Sequence, residues 1–480
     1  MRKKVVVIGL DCAAPDLVFN EWTKNLPHLR RLMAHGVYGR LRSTNPPITV
    51  PAWASMVTSQ DPGQLGIYGF RNRGSYDYAN ETIVDSRSLK APAIWDILGR
   101  RGYKSIVLGV PPSFPPKSLN GCAVSCFLTP GTHTTYTYPK ELAAEVVRVV
   151  GDYAFDVENF RTSDTSHILK QIYAMTEKRF RLASHLVRTK PWDFFMMVEM
   201  GTDRIHHAFW HYMDEKHVLH VPHSSYRHAI YDYYKFVDGQ IGQLLSHFPP
   251  DTLVLVVSDH GAKRMDGGFC LNEWLIRERL LVLKQPVQTV TPLTADMVDW
   301  RKTRAWGQGG YYGRLNLNVK GREPHGIIPS NRYEVVRNTL IEKLRGLETE
   351  NGKPLPTKVF KPSKIYRRTR NIPPDLLVYF GDLYWRAIGS VGHNTLDVYK
   401  NDIGPDGANH DYEGIVIGTY LKRLQSQSQQ RSQRPTRTNR SSLLQKASIY
   451  DIAPTVLRQF GIAATRAMRG KVLPLLANSV

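Results

Sequence analysis

Short, almost unbroken apolar runs alternate along this chain with longer stretches of mixed polarity. Val5–Leu10 (VVVIGL), Ser105–Val110 (SIVLGV), Asp193–Val198 (DFFMMV) and Leu253–Ser258 (LVLVVS) have the length and continuity of strands buried on both faces. Between them, Pro27–His35, Ala91–Arg101, Pro139–Val150, Asp164–Thr189 and Tyr226–Phe248 have the amphipathic spacing of helices laid against a sheet. The alternation predicts an α/β fold, a mostly parallel sheet flanked by helices.

The pattern changes between Leu271 and Gly389, where Trp, Tyr, Gly and Arg interleave and only Asn331–Leu347 keeps a helical period. Residues 271–389 read as a cap or insertion that shapes a pocket and carries part of the core sheet, with the core resuming at Leu376–Phe380. Residues 1–270 and 390–480 form the core itself and close with a helix over Ser448–Phe460. Within that second segment, Leu421–Ser442 sets Lys422, Arg423, Arg431, Arg434, Arg437 and Arg440 among Gln, Ser and Thr. It has too little apolar surface to fold alone, so 421–446 is expected to be a disordered loop. No internal repeat is visible.

Composition narrows the class. In 480 residues, 42% hydrophobic and 22% charged content excludes fibrous and wholly disordered chains. The net charge of +22 suits a nucleic acid, an anionic membrane or a phosphorylated small molecule. The basic tract has no aromatic residues to stack on bases, which disfavours the nucleic-acid partner. Cys12, Cys122, Cys126 and Cys270 lack C-x-x-C spacing and read as buried free thiols. The apolar run after Arg2, Lys3 and Lys4 meets Asp11 too early for a signal, which needs roughly 7 to 15 apolar residues. No run approaches the roughly 20 residues of a membrane span. A soluble, cytoplasmic protein is expected, of an oligomeric state the pattern does not encode.

Ligands of open parallel sheets bind beyond the carboxyl ends of the strands, which directs attention to residues just after each run. Asp11 follows the first, and Asp259 with His260 follows the fourth. After the third comes Gly201-Thr202-Asp203-Arg204-Ile205-His206-His207; on a helix, Asp203 and His207 share a face, the arrangement by which a carboxylate and an imidazole hold one metal. His206 then points elsewhere, and His211 and His217 read as surface or packing residues. Each feature alone also has an ordinary reading: a surface Asp-His contact, a helix cap by Asp259, a structural His410. Thr49, between Pro46-Pro47 and Pro51, sits where a helix over Ala52–Thr58 would open, and its hydroxyl could be a capping group or a metal-activated nucleophile.

Taken together, Asp11, Thr49, Asp203, His207, Asp259, His260 and His410 resemble, in order, the metal ligands and nucleophile of the alkaline phosphatase superfamily, particularly its type I phosphodiesterase/nucleotide pyrophosphatase branch and the related phosphohydrolase/phosphomutase group. The resemblance implies an alkaline-phosphatase-like fold and two divalent ions, with Asp203, His207 and His410 holding one and Asp11, Asp259, His260 and Thr49 the other. Zinc suits mixed imidazole and carboxylate ligands, with manganese or another divalent ion as the alternative. It further implies a phosphoester hydrolase that acts on a phosphorylated small molecule through a phosphothreonine intermediate; phosphomonoesterase, phosphonate hydrolase and phosphomutase chemistry stay open. A rival of another class is an inactive, basic polyanion-binding protein on the same scaffold. Where nucleotide pyrophosphatases carry a phosphoryl-binding Asn, this chain has Phe70, which leaves Arg71 or Asn72 as substitutes. His223, His228 and His393 match no position of the pattern.

Overall fold

The computed structural model describes residues 3–425 and 442–475. Its centre is a ten-stranded mixed sheet in which Leu253–Val257, Val5–Leu10, Phe194–Glu199, Ser105–Leu108 and Gly121–Val124 run parallel and adjacent, in that order. Val5 stands level with Phe194 on one side and Leu253 on the other. Every residue of these first three strands is buried, which is why they read as unbroken apolar runs. Glu413–Tyr420 joins Leu253–Val257 to Val37–Arg42, antiparallel to both, Ser442–Leu443 and Ala447–Ser448 pair with Val37–Arg42 in parallel at that edge, and Thr137–Tyr138 pairs antiparallel with Gly121–Val124 at the other.

Helices cover the sheet where amphipathic spacing places them. The longest, Thr165–Thr189, is capped by Asp164, whose side chain accepts the amide of His167. Ala229–Leu245 lies within the expected Tyr226–Phe248, and Ile452–Gln459 within Ser448–Phe460. Among the described residues no helix is long and apolar enough to cross a membrane.

Residues 269–387 build a second apolar cluster around a four-stranded antiparallel sheet, ordered Ala305–Gln308, Gly313–Leu317, Leu376–Tyr379, Lys358–Phe360, with the helix Tyr333–Arg345 against it. Leu376–Tyr379 therefore does not return to the large sheet as expected. It is an inner strand of the small one and equally buried, and an unbroken apolar run carries no mark of the sheet it joins. Of the basic tract expected as a loop, residues 426–441 lie outside the described residues.

Candidate active site

Three adjacent parallel strands, Leu253–Val257, Val5–Leu10 and Phe194–Glu199, deliver their carboxyl ends to one rim. Asp11 continues the ladder by one bond, its amide donating to Glu199 O at 2.9 Å. The chain then turns at Cys12, whose amide donates to Asp259 Oδ1 at 3.2 Å, and Ala13 donates to Ser258 Oγ at 2.8 Å. Thr202 Oγ1 donates to Asp11 O at 2.6 Å. These bonds tie the strand ends into one floor. The helix Gly201–Met213 rises from it with Asp203 and His207 one turn apart, and His410 enters on the strand Ala408–Asp411, opposite Ala262. Thr49 is the first residue of the helix Thr49–Thr58, and Ile48 before it offers no side-chain cap.

All seven residues singled out in the sequence come together, and none exposes more than 3% of its surface. They form two clusters. In one, His207 Nε2 lies 3.2 Å from both Asp203 Oδ1 and His410 Nε2, and His410 Nε2 lies 3.6 Å from Asp203 Oδ1. In the other, His260 Nε2 lies 3.2 Å from Asp259 Oδ2, 3.3 Å from Thr49 Oγ1 and 3.7 Å from Asp11 Oδ1. The His260 and His410 rings stack at 3.9 Å and join the two.

Two features make these donor sets fit metal ions. Each imidazole donates through Nδ1 to an acceptor behind it: His207 to Asp406 Oδ1 at 2.8 Å, His260 to Gly261 O at 3.1 Å, and His410 to Pro47 O at 3.0 Å. That arrangement turns every Nε2 inward, the way outer hydrogen bonds orient metal-binding histidines. Asp11 Oδ1, Asp203 Oδ1 and Asp259 Oδ2 are buried and accept no hydrogen bond among the described residues, an arrangement that is costly unless a cation completes it. Bond lengths of about 2.0–2.1 Å to nitrogen and oxygen put tetrahedral ligands roughly 3.3–3.4 Å apart, which the 3.2–3.7 Å separations bracket.

Electrostatics separates the clusters. Burial, with Asp203 nearby, pushes the Asp11 carboxyl well above the usual range, and burial with Asp11 does the same to Asp259. Asp203 is equally buried, yet His207 and Arg204 hold it well below that range. Burial pulls His207 down, but Asp406 and Asp203 outweigh it and raise the imidazole to about 9. Burial takes His260 to about 4.

Several neighbours carry no signal in the sequence. Trp53 Nε1 donates to Asp11 Oδ2 at 2.6 Å. Arg204 bridges Asp203 and Asp156, with Nη2 2.6 Å from Asp156 Oδ2. Asp406, behind His207, is also held by Arg161 at 2.6 Å and by the Tyr311 hydroxyl at 3.1 Å. The Tyr311 ring lies 4.2 Å from that of His410 and 4.8 Å from that of His207, so residues 269–387 reach the centre. Asp406 stands in a Gly-Pro-Asp-Gly loop, where an acidic residue is unremarkable, and the spacing to His207 offers no hint.

Other histidines lie apart: His206 Nε2 meets the Tyr234 hydroxyl at 3.1 Å, and His217 Nε2 donates to Gly407 O at 3.0 Å. Asn72 is buried with its amide fully engaged, accepting from Tyr68 N at 3.1 Å and donating to Gly66 O at 3.0 Å. It braces its own turn, and no hydrogen bond or ion pair among the described residues joins Asn72 or Arg71 to the clusters. Phe70 meets Phe127 edge-on at 5.9 Å.

A mostly parallel sheet with paired imidazole and carboxylate clusters at its strand ends, beside a helix-terminal hydroxyl, belongs to the alkaline-phosphatase-like class of folds. More narrowly, the type I phosphodiesterase/nucleotide pyrophosphatase pattern matches residues 5–412, and the chain belongs to that family, within a superfamily of phosphoester hydrolases. Among solved structures it is similar to human ectonucleotide pyrophosphatase/phosphodiesterase 5, with 12% identity, TM-score 0.55 and coverage of 98% of this chain and 97% of that one. The murine protein gives 14% identity, TM-score 0.55 and 98% coverage of both chains. Phosphonoacetate hydrolase from Sinorhizobium meliloti 1021, in complex with phosphonoformate, gives 15% identity and TM-score 0.55 over 87% of this chain and 90% of that one. No curated protein matches in sequence.

Proposed function

We propose that this protein is a two-metal phosphodiesterase of the nucleotide pyrophosphatase type, with Thr49 as nucleophile and a phosphothreonine intermediate. The observation that carries the reading is the convergence of three inward Nε2 atoms and three unpartnered carboxylate oxygens on the space beside Thr49 Oγ1. Asp203, His207 and His410 would hold one divalent ion and Asp11, Asp259, His260 and Thr49 the other, with zinc favoured by the mixed donor set. When bound, the ions lower the pKa of the hydroxyl and offset the charge on the phosphoryl group.

The chain's own residues do the rest. Thr49 sheds its proton to solvent, and Oγ1 bonds to phosphorus in line as the bond to the leaving alcohol or phosphate breaks. Water then cleaves the phosphothreonine and restores the hydroxyl. The helix that starts at Thr49 has no side-chain cap, which leaves first-turn amides to hold a phosphoryl oxygen. The net charge of +22 draws anionic substrates toward the surface.

Phosphonate hydrolysis is a second reading, favoured by the likeness to phosphonoacetate hydrolase. The zinc-loaded protein assayed against p-nitrophenyl phosphate, bis-p-nitrophenyl phosphate, a nucleotide panel and phosphonoacetate separates the readings. The diester and nucleotides are expected to turn over fastest. Preference for phosphonoacetate would replace the first reading with the second, and inertness toward all of them with two ions bound would overturn both in favour of a specialised substrate selected by residues 271–389.

A further inference from the structure

Cys12 lies outside the seven-residue pattern, yet it sits inside the centre. Its φ of +64° is in the left-handed region, where a side chain with a Cβ is strained and glycine is not. The thiol is fully buried and donates to Gly261 O at 3.3 Å. Sγ also stands with one ligand atom each of Asp203, His207 and His410, all four within 4.8 Å of one another. The Asp203 carboxylate carries one of the unpartnered oxygens, and His207 Nε2 lies 3.2 Å from His410 Nε2. The other cysteines, Cys122, Cys126 and Cys270, are buried and free without joining such a group. A thiol at this strained turn, beside three metal-type donors, offers a ligand that a glycine there would not.

We propose that Cys12 Sγ is the fourth protein ligand of the ion held by Asp203, His207 and His410. The inference rests on the two-ion reading above. As the metal–sulfur bond forms, the S–H bond breaks and its proton passes to the buffer, with no change of oxidation state. Thiolate is a soft ligand, so this position selects zinc or cadmium over magnesium or manganese. The ion beside Thr49 has only oxygen and nitrogen donors and lacks that selection. The two positions therefore differ in metal preference, although both draw on aspartate and histidine.

Cobalt(II) in place of zinc reads the bond directly, because a thiolate–cobalt contact absorbs in the near ultraviolet. Wild type with two bound cobalt ions is expected to show a charge-transfer band equivalent to one thiolate per chain. Cys12→Gly, which suits the backbone at that turn, is expected to stay folded by thermal melting and to lack the band. Its cadmium affinity should fall about tenfold or more, with manganese affinity nearly unchanged. Two bound cobalt ions without a band, or a band that survives in Cys12→Gly, overturns the ligand assignment alone. A wild-type chain that binds no cobalt overturns it together with the two-ion reading.

Discussion

The two halves of the centre bury their charge in different ways. Around Asp203 the protein supplies its own counter-charges: Arg204 and His207 hold the carboxylate ionised, and Asp406 in turn supports a charged His207. Around Asp11 and Asp259 the counter-charges are outweighed: Arg204, His207 and the Trp53 indole favour the Asp11 carboxylate, but burial and Asp203 prevail. Two carboxyls face each other beside an imidazole that burial keeps neutral, and burial drives both of them upward. The first half is largely balanced by the protein's own charges, whereas the second is not. The nucleophile candidate, Thr49, belongs to the second half.

The largest expected effect tests that placement. Thr49→Ala should lower turnover of a diester at least about 10,000-fold, as loss of a nucleophile does, while both ions still bind. A variant that retains full activity would remove Thr49 from the mechanism, leaving the electrostatic contrast intact. Next comes the contrast itself, in metal-free protein. Asp203→Asn removes the carboxylate that Arg204 and His207 share, leaving each with one other anion, Asp156 and Asp406, and should cost about 1.5–3 kcal/mol in denaturant unfolding. Asp259→Asn relieves repulsion with Asp11 and should be neutral or stabilising by about 1 kcal/mol. Equal losses in the two variants would erase the distinction.

The pH response gives a smaller effect. On folding, the His207 pKa rises from 6.5 to about 9, so the native state keeps a proton that the unfolded chain releases in that window. Its stabilisation is complete below pH 6.5 and is lost as pH climbs to about 9. Asp11 and Asp259 have raised values, so their stabilisation is likewise lost as pH rises above 3.8. Asp203, held low, contributes above 3.8 and loses its contribution on acidification. Melting temperatures of chelator-treated protein should fall between pH 6.5 and 9, and Asp406→Asn should flatten that slope; an unchanged slope would show that Asp406 does not support the charge. Smallest is Trp53→Phe, which removes the indole donor of Asp11 and should weaken only the ion beside Thr49, by about tenfold in affinity. Equal weakening of both ions would mean that the halves are not independent.

Much of the centre is legible in the order of residues because strand ends do the positioning. Asp11, Asp203 and Asp259 with His260 each follow an unbroken apolar run within a few residues, and three such runs are neighbours in the sheet. His410 and Thr49 are legible only through the family resemblance, since a lone histidine before a strand or a threonine opening a helix has ordinary uses. Asp406, Arg161 and Tyr311 are not legible at all, because their contacts to His207 and to one another span long separations through turns. Asn72, a polar residue near the expected position, makes its hydrogen bonds within its own loop, which the sequence does not signal. Leu376–Tyr379 shows that burial is readable from an apolar run whereas its sheet is not.

In the proposed hydrolase, both ions, one in each ligand set, act together with Thr49. Titrating zinc into metal-free protein, while bound zinc per chain and turnover of bis-p-nitrophenyl phosphate are followed together, tests it most directly. The expected result is two ions per chain, with turnover that rises only as the second equivalent binds. Full turnover with no ion or one ion bound, or no turnover of any phosphoester with two, would contradict it.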